Sequence, residues 1–161
     1  MQALRYTSDV LGKMYDGQYC SVARSLEVIG ERWTLLILRE ALLSGTSRFS
    51  DFQHNLGIAT NVLASRLEWL VEAGLMERDA AGSYRLLEPG QDFLHVLMAF
   101  GEWGDKWRAP DGPPGIYRHT DCGQPVSLVA KCDTHGELTD DQIHIEPGPG
   151  VPPEYIASRR P

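Results

Sequence analysis

The sequence predicts a mainly α-helical α+β fold, in which a winged helix-turn-helix domain is followed by a small β appendage. Residues 57–75, GIATNVLASRLEWLVEAGL, place Leu63, Leu67 and Leu70 on one face of a helix and polar side chains on the opposite face. A shorter helical segment, RFSDFQHNLG, precedes this helix across a tight connection. A hairpin pattern with a turn at Gly82, LMERDAAGSYRLL, follows it. Two helices joined in this way and backed by a hairpin form a winged helix.

The chain is predicted to divide into five segments. Residues 1–19 are weakly patterned and form an N-terminal arm, and residues 20–108 form the winged-helix domain with its terminal helix. The Pro- and Gly-rich residues 109–115 are a linker, because neither residue type sustains a helix or a strand. Residues 116–147 form the β appendage, in which VSLVA and IHI alternate as strands do, and residues 148–161 are a disordered tail.

The ends of the helices are predicted from glycines and capping residues. The first helix, CSVARSLEVI, carries an apolar stripe that stops at Gly30. The next segment, WTLLILREALL, is so apolar that it is predicted to be the central buried helix. Ser47 is a plausible cap for the short helix that follows, and Gly57 is its stop.

The terminal helix of the domain, FLHVLMAFGEWGDKW, has an apolar surface that is too broad for packing on one side only. Gly101 and Gly104 permit a close approach by another element, so this surface is predicted to be either core or a dimer seam. Phe93, Phe100 and Trp103 either line an effector pocket between this helix and the domain or belong to the core.

The composition is that of a soluble globular protein, with 42% hydrophobic and 23% charged residues. The sequence has no apolar run of membrane-spanning length and no signal-peptide pattern, so we expect a cytoplasmic protein with no membrane partner and with reduced cysteines. A net charge of −7 argues against nucleic-acid binding. However, every basic residue between Cys20 and Trp103 is an arginine, whose planar guanidinium suits phosphate and guanine.

Several segments together resemble the HxlR family of bacterial transcriptional regulators, which are winged-helix relatives of the MarR group. The segments are CSVARSLEVIGERWTLLILRE, RFSDFQ, GIATNVLASRLEWLVEAGLMER, YRLLEPG and WGDKW, and their joint order within residues 20–107 is specific. The resemblance implies a homodimer, paired through its terminal helices, that binds palindromic double-stranded operator DNA. In the appendage, HTDCG and CDTHGE are similar to a C-terminal extension found in a subset of that family.

Five residues are predicted to contact DNA. In a helix-turn-helix the first residues of the second helix reach base edges in the major groove, which here means Thr60, Asn61 and Ser65. The resemblance implies that Arg66 also faces DNA and that Arg48 meets a phosphate. The recognition helix lacks the Ser-Pro-Arg type of start that many family members have, and the wing tip carries no basic residue. We therefore expect specificity to rest on the recognition helix.

Cys20 is a candidate redox sensor. In some members of the HxlR family the equivalent cysteine senses oxidants or electrophiles. Such chemistry needs a thiolate, which the N-terminus of a helix favours, and Cys20 lies at such an end with Arg24 one turn further on. The alternative is that Cys20 is a small hydrophobic residue that packs the first helix.

Four residues of the appendage are candidate zinc ligands. His119 and Cys122 form H-x2-C, Cys132 and His135 form C-x2-H, and nine residues separate the two pairs. A glycine follows each pair and would help the tight turn that a tetrahedral Zn²⁺ site requires. The alternative is a zinc-ribbon-like fold that strand pairing holds together without metal. Structural zinc is thus a candidate, and nothing in the sequence calls for another cofactor.

The leading functional hypothesis is a homodimeric, sequence-specific DNA-binding transcriptional regulator with an unknown small-molecule or oxidant effector. No catalytic residue is predicted, because the sequence contains no phosphate-binding loop, nucleophile elbow or paired-carboxylate motif. The alternative is a winged-helix protein-interaction module without specific DNA binding. The acidic balance, the poor wing, and Glu68 and Glu72 on the outward helix face favour it, because carboxylates repel phosphates. A metal-dependent enzyme built on the appendage is the weakest hypothesis.

Overall fold

The computed structural model describes residue 15 and residues 17–158. The described elements, in chain order, are α1 (Ser21–Ile29), α2 (Arg32–Leu43), α3 (Phe49–Leu56), α4 (Thr60–Glu72), β1 (Met76–Arg78), β2 (Tyr84–Leu86), α5 (Glu88–Gln91), α6 (Phe93–Arg108), β3 (Lys131–Cys132), β4 (Gly136–Glu137), a 3-10 helix (Asp140–Gln142) and α7 (Pro153–Ser158). This order confirms the predicted fold class, a mainly helical winged helix-turn-helix. No helix in the described part of the chain is both long and apolar enough to cross a membrane.

The hydrophobic core lies where α2, α3 and α4 meet the hairpin. Helix α4 contributes Leu63, Leu67 and Leu70, whose side chains have no exposed surface, at the spacing of one helix face. Each such burial stabilises the fold by about 1.5–3 kcal/mol. Helix α2 lies at the centre, as predicted, and contacts α1, α3, α4 and α6. The side chains that complete the core around α4 include Ile37, Leu38, Phe52, Ile58, Met76 and Phe93.

The ends of α3 agree with the sequence prediction at one terminus only. Gly57 ends the helix in the left-handed region, with φ of 60°, as predicted. The Ser47 cap is wrong, because the N-cap is Arg48, which makes no side-chain capping bond. The backbone carbonyl of Ser47 instead accepts a hydrogen bond from the Tyr84 N–H at 2.8 Å. This bond ties strand β2 of the wing to the start of α3.

The wing is a short antiparallel hairpin in which Met76 pairs with Leu86 and Arg78 with Tyr84. Gly82 turns the chain with φ of 86°, as a predicted turn residue should. After the hairpin, α5 lies so close to the chain just before β1 that a Cβ on Gly90 would be 2.3 Å from the Leu75 carbonyl oxygen. Glycine at this position therefore lets α5 pack against the chain that enters the wing.

Helix α6 is half in the core and half exposed. Its inner face contributes Phe93, Leu97 and Met98 to the buried interior. Four large apolar side chains on its outer face, which we call the α6 stripe, are 48–64% exposed: Val96, Phe100, Trp103 and Trp107. At 100° per residue they lie within about 60° of arc. Of the three aromatic residues that either line an effector pocket or belong to the core, Phe93 is core, whereas Phe100 and Trp103 are exposed.

The appendage docks on another face of α6. Tyr117 lies against Gly101, and the Leu128 N–H donates to the Glu102 carboxylate at 2.9 Å. Burial, and then the charges of Asp105 and Glu102, raise the pKa of Tyr117 above its usual 10.0, so its hydroxyl is neutral at pH 7. This docking covers part of α6 and leaves the α6 stripe exposed.

The strands of the appendage are not the ones that the sequence predicted. Neither VSLVA nor IHI belongs to a strand, although both lie in the described part of the chain. Pairing occurs instead beside the two His/Cys turns, as the β3–β4 ladder and as an isolated bridge between Arg118 and Pro125. The alternation in VSLVA and IHI was misleading because most of these side chains face solvent rather than a second layer.

The C-terminal segment returns to the start of α1. Residues 148–161, predicted to be disordered, include the short helix α7, whose Tyr155 packs edge to face on Tyr19 with ring centroids 4.9 Å apart. The Pro- and Gly-rich sequence predicted disorder here. The contact between the two aromatic rings accounts for the ordered segment that the structure shows instead. Residues 1–14, 16 and 159–161 lie outside the described residues, so most of the predicted N-terminal arm does too. The predicted domain boundaries remain predictions.

Candidate nucleic-acid interface

The turn of the helix-turn-helix is anchored in the core. Gly57 reverses the chain after α3, and Ile58 beside it is only 3% exposed. Ala59 then begins α4 in an extended conformation, and the Leu63 N–H donates to its carbonyl at 2.9 Å. The N-terminus of α4 is thus held against the core while its outer face remains free.

Helix α4 presents a polar face to solvent, opposite its three buried leucines. Thr60, Asn61 and Ser65 are exposed in its first half, where the sequence analysis placed the residues that read bases. Glu68 and Glu72 continue the exposed surface toward the C-terminus. Because these carboxylates repel phosphates, the N-terminal half of α4 is the part of this face that suits DNA.

A hydrogen bond between the two helices fixes the start of α4. The Gln53 side-chain amide donates to the Thr60 hydroxyl oxygen at 2.7 Å. The Thr60 hydroxyl keeps its own proton as a donor. Gln53 was not predicted from the sequence, because a hydrogen bond between two helices leaves no signature in the periodicity of either one. The sequence feature that could have identified Gln53 is its position as a polar residue on α3, one turn before the helix ends at Gly57.

Arg66 is separated from the other predicted DNA-contacting residues. Its Nε lies 3.4 Å from the Glu31 carboxylate, which also caps α2 by accepting from the Trp33 N–H at 2.9 Å. The Arg66 side chain is 28% exposed. At 100° per residue it lies about 140° around α4 from Asn61. The structure therefore brings Arg66 to the junction of α2 and α4 and not to the exposed face.

Arg48 is the N-cap of α3 and is exposed, and its contact with a phosphate stays a prediction. On the wing, Arg85 pairs with Glu77 across the hairpin, whereas the guanidinium of Arg78 lies over the Tyr84 ring, 5.6 Å from its centroid. Arg78 is exposed and is the last residue of β1, directly before the tip. Arg78 was not predicted as a DNA-contacting residue, because the prediction for the wing rested on its tip residues alone.

A buried carboxylate joins α2 to α3 beneath this surface. Glu40 accepts hydrogen bonds from Arg39 at 2.7 Å, from Asn55 at 3.2 Å and from the Thr46 hydroxyl at 3.4 Å. Burial alone raises the pKa of Glu40, but these partners outweigh it and hold the pKa below its ordinary value of 4.5. Because Asn55 lies on α3, Glu40 positions the helix-turn-helix relative to the central helix.

A model of the HxlR-like helix-turn-helix family matches residues 28–112, which is more than half of the chain. This chain belongs to the HxlR-like helix-turn-helix family. The match spans α2 to α6, so the helix-turn-helix and the wing are the family's own elements. The appendage lies beyond it.

Similar proteins and similar solved structures cover most of the chain. The uncharacterized HTH-type transcriptional regulator Rv3095 of Mycobacterium tuberculosis is 41% identical over 156 residues, which are 92% of this chain and 97% of that protein. The crystal structure of PA1607, a candidate transcription factor, is similar with a TM-score of 0.71 and 37% identity, covering 80% of this chain and 94% of that one. The candidate transcription factor PA1374 of Pseudomonas aeruginosa has a TM-score of 0.60 and 40% identity, with coverages of 84% and 97%. This chain is therefore a member of a family of HTH-type transcriptional regulators.

The candidate redox residue of this HxlR chain, Cys20, is the N-cap of α1 and is partly exposed. The Arg24 N–H donates to the Cys20 carbonyl at 3.1 Å, so Arg24 is one turn along the helix, as expected. Tyr19, which precedes Cys20, carries the contact with Tyr155 of α7. Redox sensing by Cys20 stays a prediction.

The four candidate zinc ligands of the appendage are brought together in pairs. Cys122 Sγ lies 3.3 Å from His119 Nδ1, and Cys132 Sγ lies 3.5 Å from His135 Nδ1. Among the described residues, no three His, Cys, Asp or Glu side chains are grouped closely enough to hold one metal ion. Backbone N–H groups of Thr134 and His135 lower the pKa of the Cys132 thiol. A pair of soft ligands therefore exists at each turn, and the two pairs are separate.

Proposed function

We propose that this HxlR protein is a cytoplasmic, homodimeric, sequence-specific DNA-binding regulator of transcription that acts by binding and not by catalysis. The observation that carries the proposal is the polar N-terminal half of α4, held on a fully buried leucine face and presented to solvent. A rigid helix of this kind suits the major groove, because the groove admits one α-helix and displays a distinct pattern of donors and acceptors for each base pair.

Within the complex, base reading is assigned to Asn61, Ser65 and Thr60. An asparagine side chain can donate to and accept from one adenine at the same time, and hydroxyl groups adapt to several bases. We assign Arg48 at α3 and Arg78 on the wing to phosphate contacts. Such contacts set the register of the protein on DNA but do not read the base sequence. The short wing leaves base specificity to α4.

The homodimer is assigned to the α6 stripe together with the exposed Val22 and Leu26 of α1. These two apolar side chains are 68% and 48% exposed, and the α6 stripe is exposed to a similar degree. Large apolar side chains that line one helix face and are exposed to solvent are typical of a protein–protein contact. In such a dimer the two α4 helices read half-sites separated by about 34 Å, one turn of B-DNA.

The test is binding of the purified protein to its own promoter fragment, measured by fluorescence anisotropy in a salt series, with a scrambled fragment as competitor. We expect specific binding that weakens with salt, because phosphate contacts release counterions. Asn61→Ala should cost about 1–3 kcal/mol of discrimination and relax one base preference. Arg78→Ala should weaken binding to all sequences and reduce the salt slope by about 1.

The matched control is His95→Ala, which changes an exposed residue of α6 far from α4 in the sequence and should bind as the wild type does. Weak binding that neither Asn61→Ala nor Arg78→Ala alters, on this and on other candidate operators, would contradict the proposal. In that case the protein-interaction module becomes the better explanation.

A further inference from the structure

Two turns in the appendage share one construction, which the DNA-binding proposal does not use. Knuckle 1 is residues 119–123 and knuckle 2 is residues 132–136. In each, an imidazole and a thiol are three residues apart, and a glycine in the left-handed region closes the turn: Gly123 with φ of 69° and Gly136 with φ of 78°. The order of the two ligand types is reversed, with histidine first in knuckle 1 and cysteine first in knuckle 2.

The distances within the knuckles match two ligands of one tetrahedral ion. With Zn–S of about 2.3 Å and Zn–N of about 2.0–2.1 Å, neighbouring S and N ligands of tetrahedral zinc lie about 3.5 Å apart. The distances from Cys122 Sγ to His119 Nδ1 and from Cys132 Sγ to His135 Nδ1 are 3.3 and 3.5 Å. Each knuckle is thus already shaped as half of such a site.

Backbone groups orient the first ligand of each knuckle. The Cys122 N–H donates to His119 Nδ1 at 3.4 Å, which makes Nδ1 the nitrogen that carries the lone pair. In knuckle 2 the backbone N–H groups of Thr134 and His135 favour the thiolate form of Cys132 and so lower its pKa. Each turn also closes a backbone pairing: the His119 N–H donates to the Gln124 carbonyl at 2.9 Å, and Cys132 pairs with Gly136.

The appendage has no hydrophobic core of its own. In the described residues 109–158 no side chain is fully buried, and Val129, Ile143 and Ile145 are 50–97% exposed. Folding units of fewer than about 40 residues usually depend on a disulfide, a metal or association with another chain. Cys122 and Cys132 are both free thiols. A metal is the stabilising element that the two knuckles are built to accept.

We propose that the two knuckles close on one Zn²⁺, held by His119 and Cys122 from knuckle 1 and by Cys132 and His135 from knuckle 2. The pairs are separate in the structure, so binding moves them together through the nine residues between Cys122 and Cys132. Each thiol releases one proton to solvent as it ligates, and the imidazoles bind in their neutral form. Zn²⁺ with two thiolates and two neutral imidazoles has no net charge, and its binding depends on pH because the thiols must lose their protons.

The test is a Zn²⁺ titration of the full chain after chelation, in the presence of a phosphine reductant, followed by calorimetry and native mass spectrometry. We expect one ion per chain with a dissociation constant below about 1 µM and release of about two protons per ion. Bound Zn²⁺ should protect two of the three cysteines from a thiol reagent. Co²⁺ in place of Zn²⁺ should give the visible absorption of a tetrahedral site with thiolate ligands.

Variants from both knuckles distinguish one shared site from two separate ones. Cys132→Ser and His119→Gln should each weaken Zn²⁺ binding by more than about 100-fold, since even outer-shell changes cost 10- to 100-fold. The matched controls Cys20→Ser and His144→Gln, which lie outside the knuckles, should keep both affinity and stoichiometry. Circular dichroism checks that the helical domain is intact, and Cys122→Ser with His135→Gln replaces any variant that fails this check.

Three results would overturn the proposal. One is binding weaker than about 1 µM, in which case the short S···N contacts are hydrogen bonds only. Another is two ions per chain, which assigns one ion to each knuckle. The third is loss of binding in the variant of one knuckle while the variant of the other knuckle binds as the wild type does.

Discussion

Glu40 shows how one residue can hold the helix-turn-helix in place. It is 8% exposed and accepts from partners on α2, on the following loop and on α3. A buried carboxylate without such partners would be protonated or expelled, so the network makes the position tolerable. The consequence is that the angle between α2 and α3 depends on an ionised group.

Replacing Glu40 by glutamine removes the charge and weakens the bond from Arg39, which is itself partly exposed. We expect Glu40→Gln to lower the free energy of unfolding at pH 7 by about 1–3 kcal/mol. Because the pKa of Glu40 is lowered in the folded protein, its contribution is present above the ordinary value of 4.5 and is lost as pH falls through the folded pKa. Urea unfolding at pH 7 and below pH 4.5 should show the gap between variant and wild type closing in acid.

The control for this prediction is Glu68→Gln, which removes a carboxylate from the exposed face of α4. Its stability should differ from the wild type by less than about 0.5 kcal/mol at either pH. A Glu40→Gln protein that is as stable as Glu68→Gln at pH 7 would show that the Glu40 network is not stabilising.

Thr34 gives a prediction of the opposite sign. Its side chain has no exposed surface, and its hydroxyl has no hydrogen-bond partner in the described structure. Thr34→Val keeps the shape and removes the unpaired hydroxyl, so we expect the free energy of unfolding to rise by about 1 kcal/mol. Thr34→Ser keeps the hydroxyl and loses a methyl group, so stability should fall by about 1 kcal/mol. Guanidinium unfolding of both variants checks the pair, and a destabilised valine variant would reveal a partner for the hydroxyl.

At the scale of single elements, periodicity predicted the helices well and the appendage strands poorly. Leu63, Leu67 and Leu70 identify α4 and its inner face because each is buried in one continuous core. Gly57 and Gly82 mark the turns because a positive φ favours glycine strongly. No second layer of structure packs against VSLVA, so its alternating apolar residues do not form a strand. The sequence of the segment itself does not show that such a layer is missing.

The sequence predicted the part of the candidate site that lies on one face of α4, and it did not predict the contacts between α4 and other helices. Thr60, Asn61 and Ser65 share an exposed face that the 3.6-residue period already defines. Arg66 was assigned by resemblance, and its pairing with Glu31 depends on how α2 crosses α4. Such a crossing is a property of tertiary packing and cannot be obtained from the spacing of residues in either helix.

The assignment of the proposed dimer interface to the α6 stripe can be tested by substitution within the stripe. Trp103 lies within the stripe, and an aromatic anchor in an interface commonly contributes 2 kcal/mol or more. We expect Trp103→Glu to raise the dimer dissociation constant by about 30-fold or more, without loss of helix content, because the side chain is 53% exposed in the single chain. Sedimentation velocity over a range of concentrations measures the change.

His95→Glu is the matched control for Trp103→Glu, since it places the same charge on an exposed position of the same helix outside the stripe. It should associate as the wild type does. A wild-type protein that is monomeric at tens of micromolar, or equal weakening by both variants, would contradict the assignment of the dimer to the α6 stripe.

For the molecule as a whole, the single bond from the Leu128 N–H to Glu102 is a sensitive reporter of the docked appendage. Glu102→Ala removes the acceptor, and we expect the undocked fraction to rise about 5-fold, for a loss near 1 kcal/mol. Amide hydrogen exchange at Leu128 should accelerate accordingly. Glu102→Gln retains an acceptor oxygen and should exchange nearly as slowly as the wild type. Equal protection of Leu128 in all three proteins would mean that this bond does not hold the appendage.

One face of α6 belongs to the buried interior of the domain, and another face carries the appendage. Every fully buried residue in the described structure lies at or before Met98, and the docking residues Gly101, Glu102 and Asp105 lie around the helix from the α6 stripe. A stop codon after Arg108 would thus remove the appendage while leaving the interior and the stripe intact. Changes to the appendage and to α7 would therefore reach the domain before them only through their contacts, such as those of Leu128 with Glu102 and of Tyr155 with Tyr19.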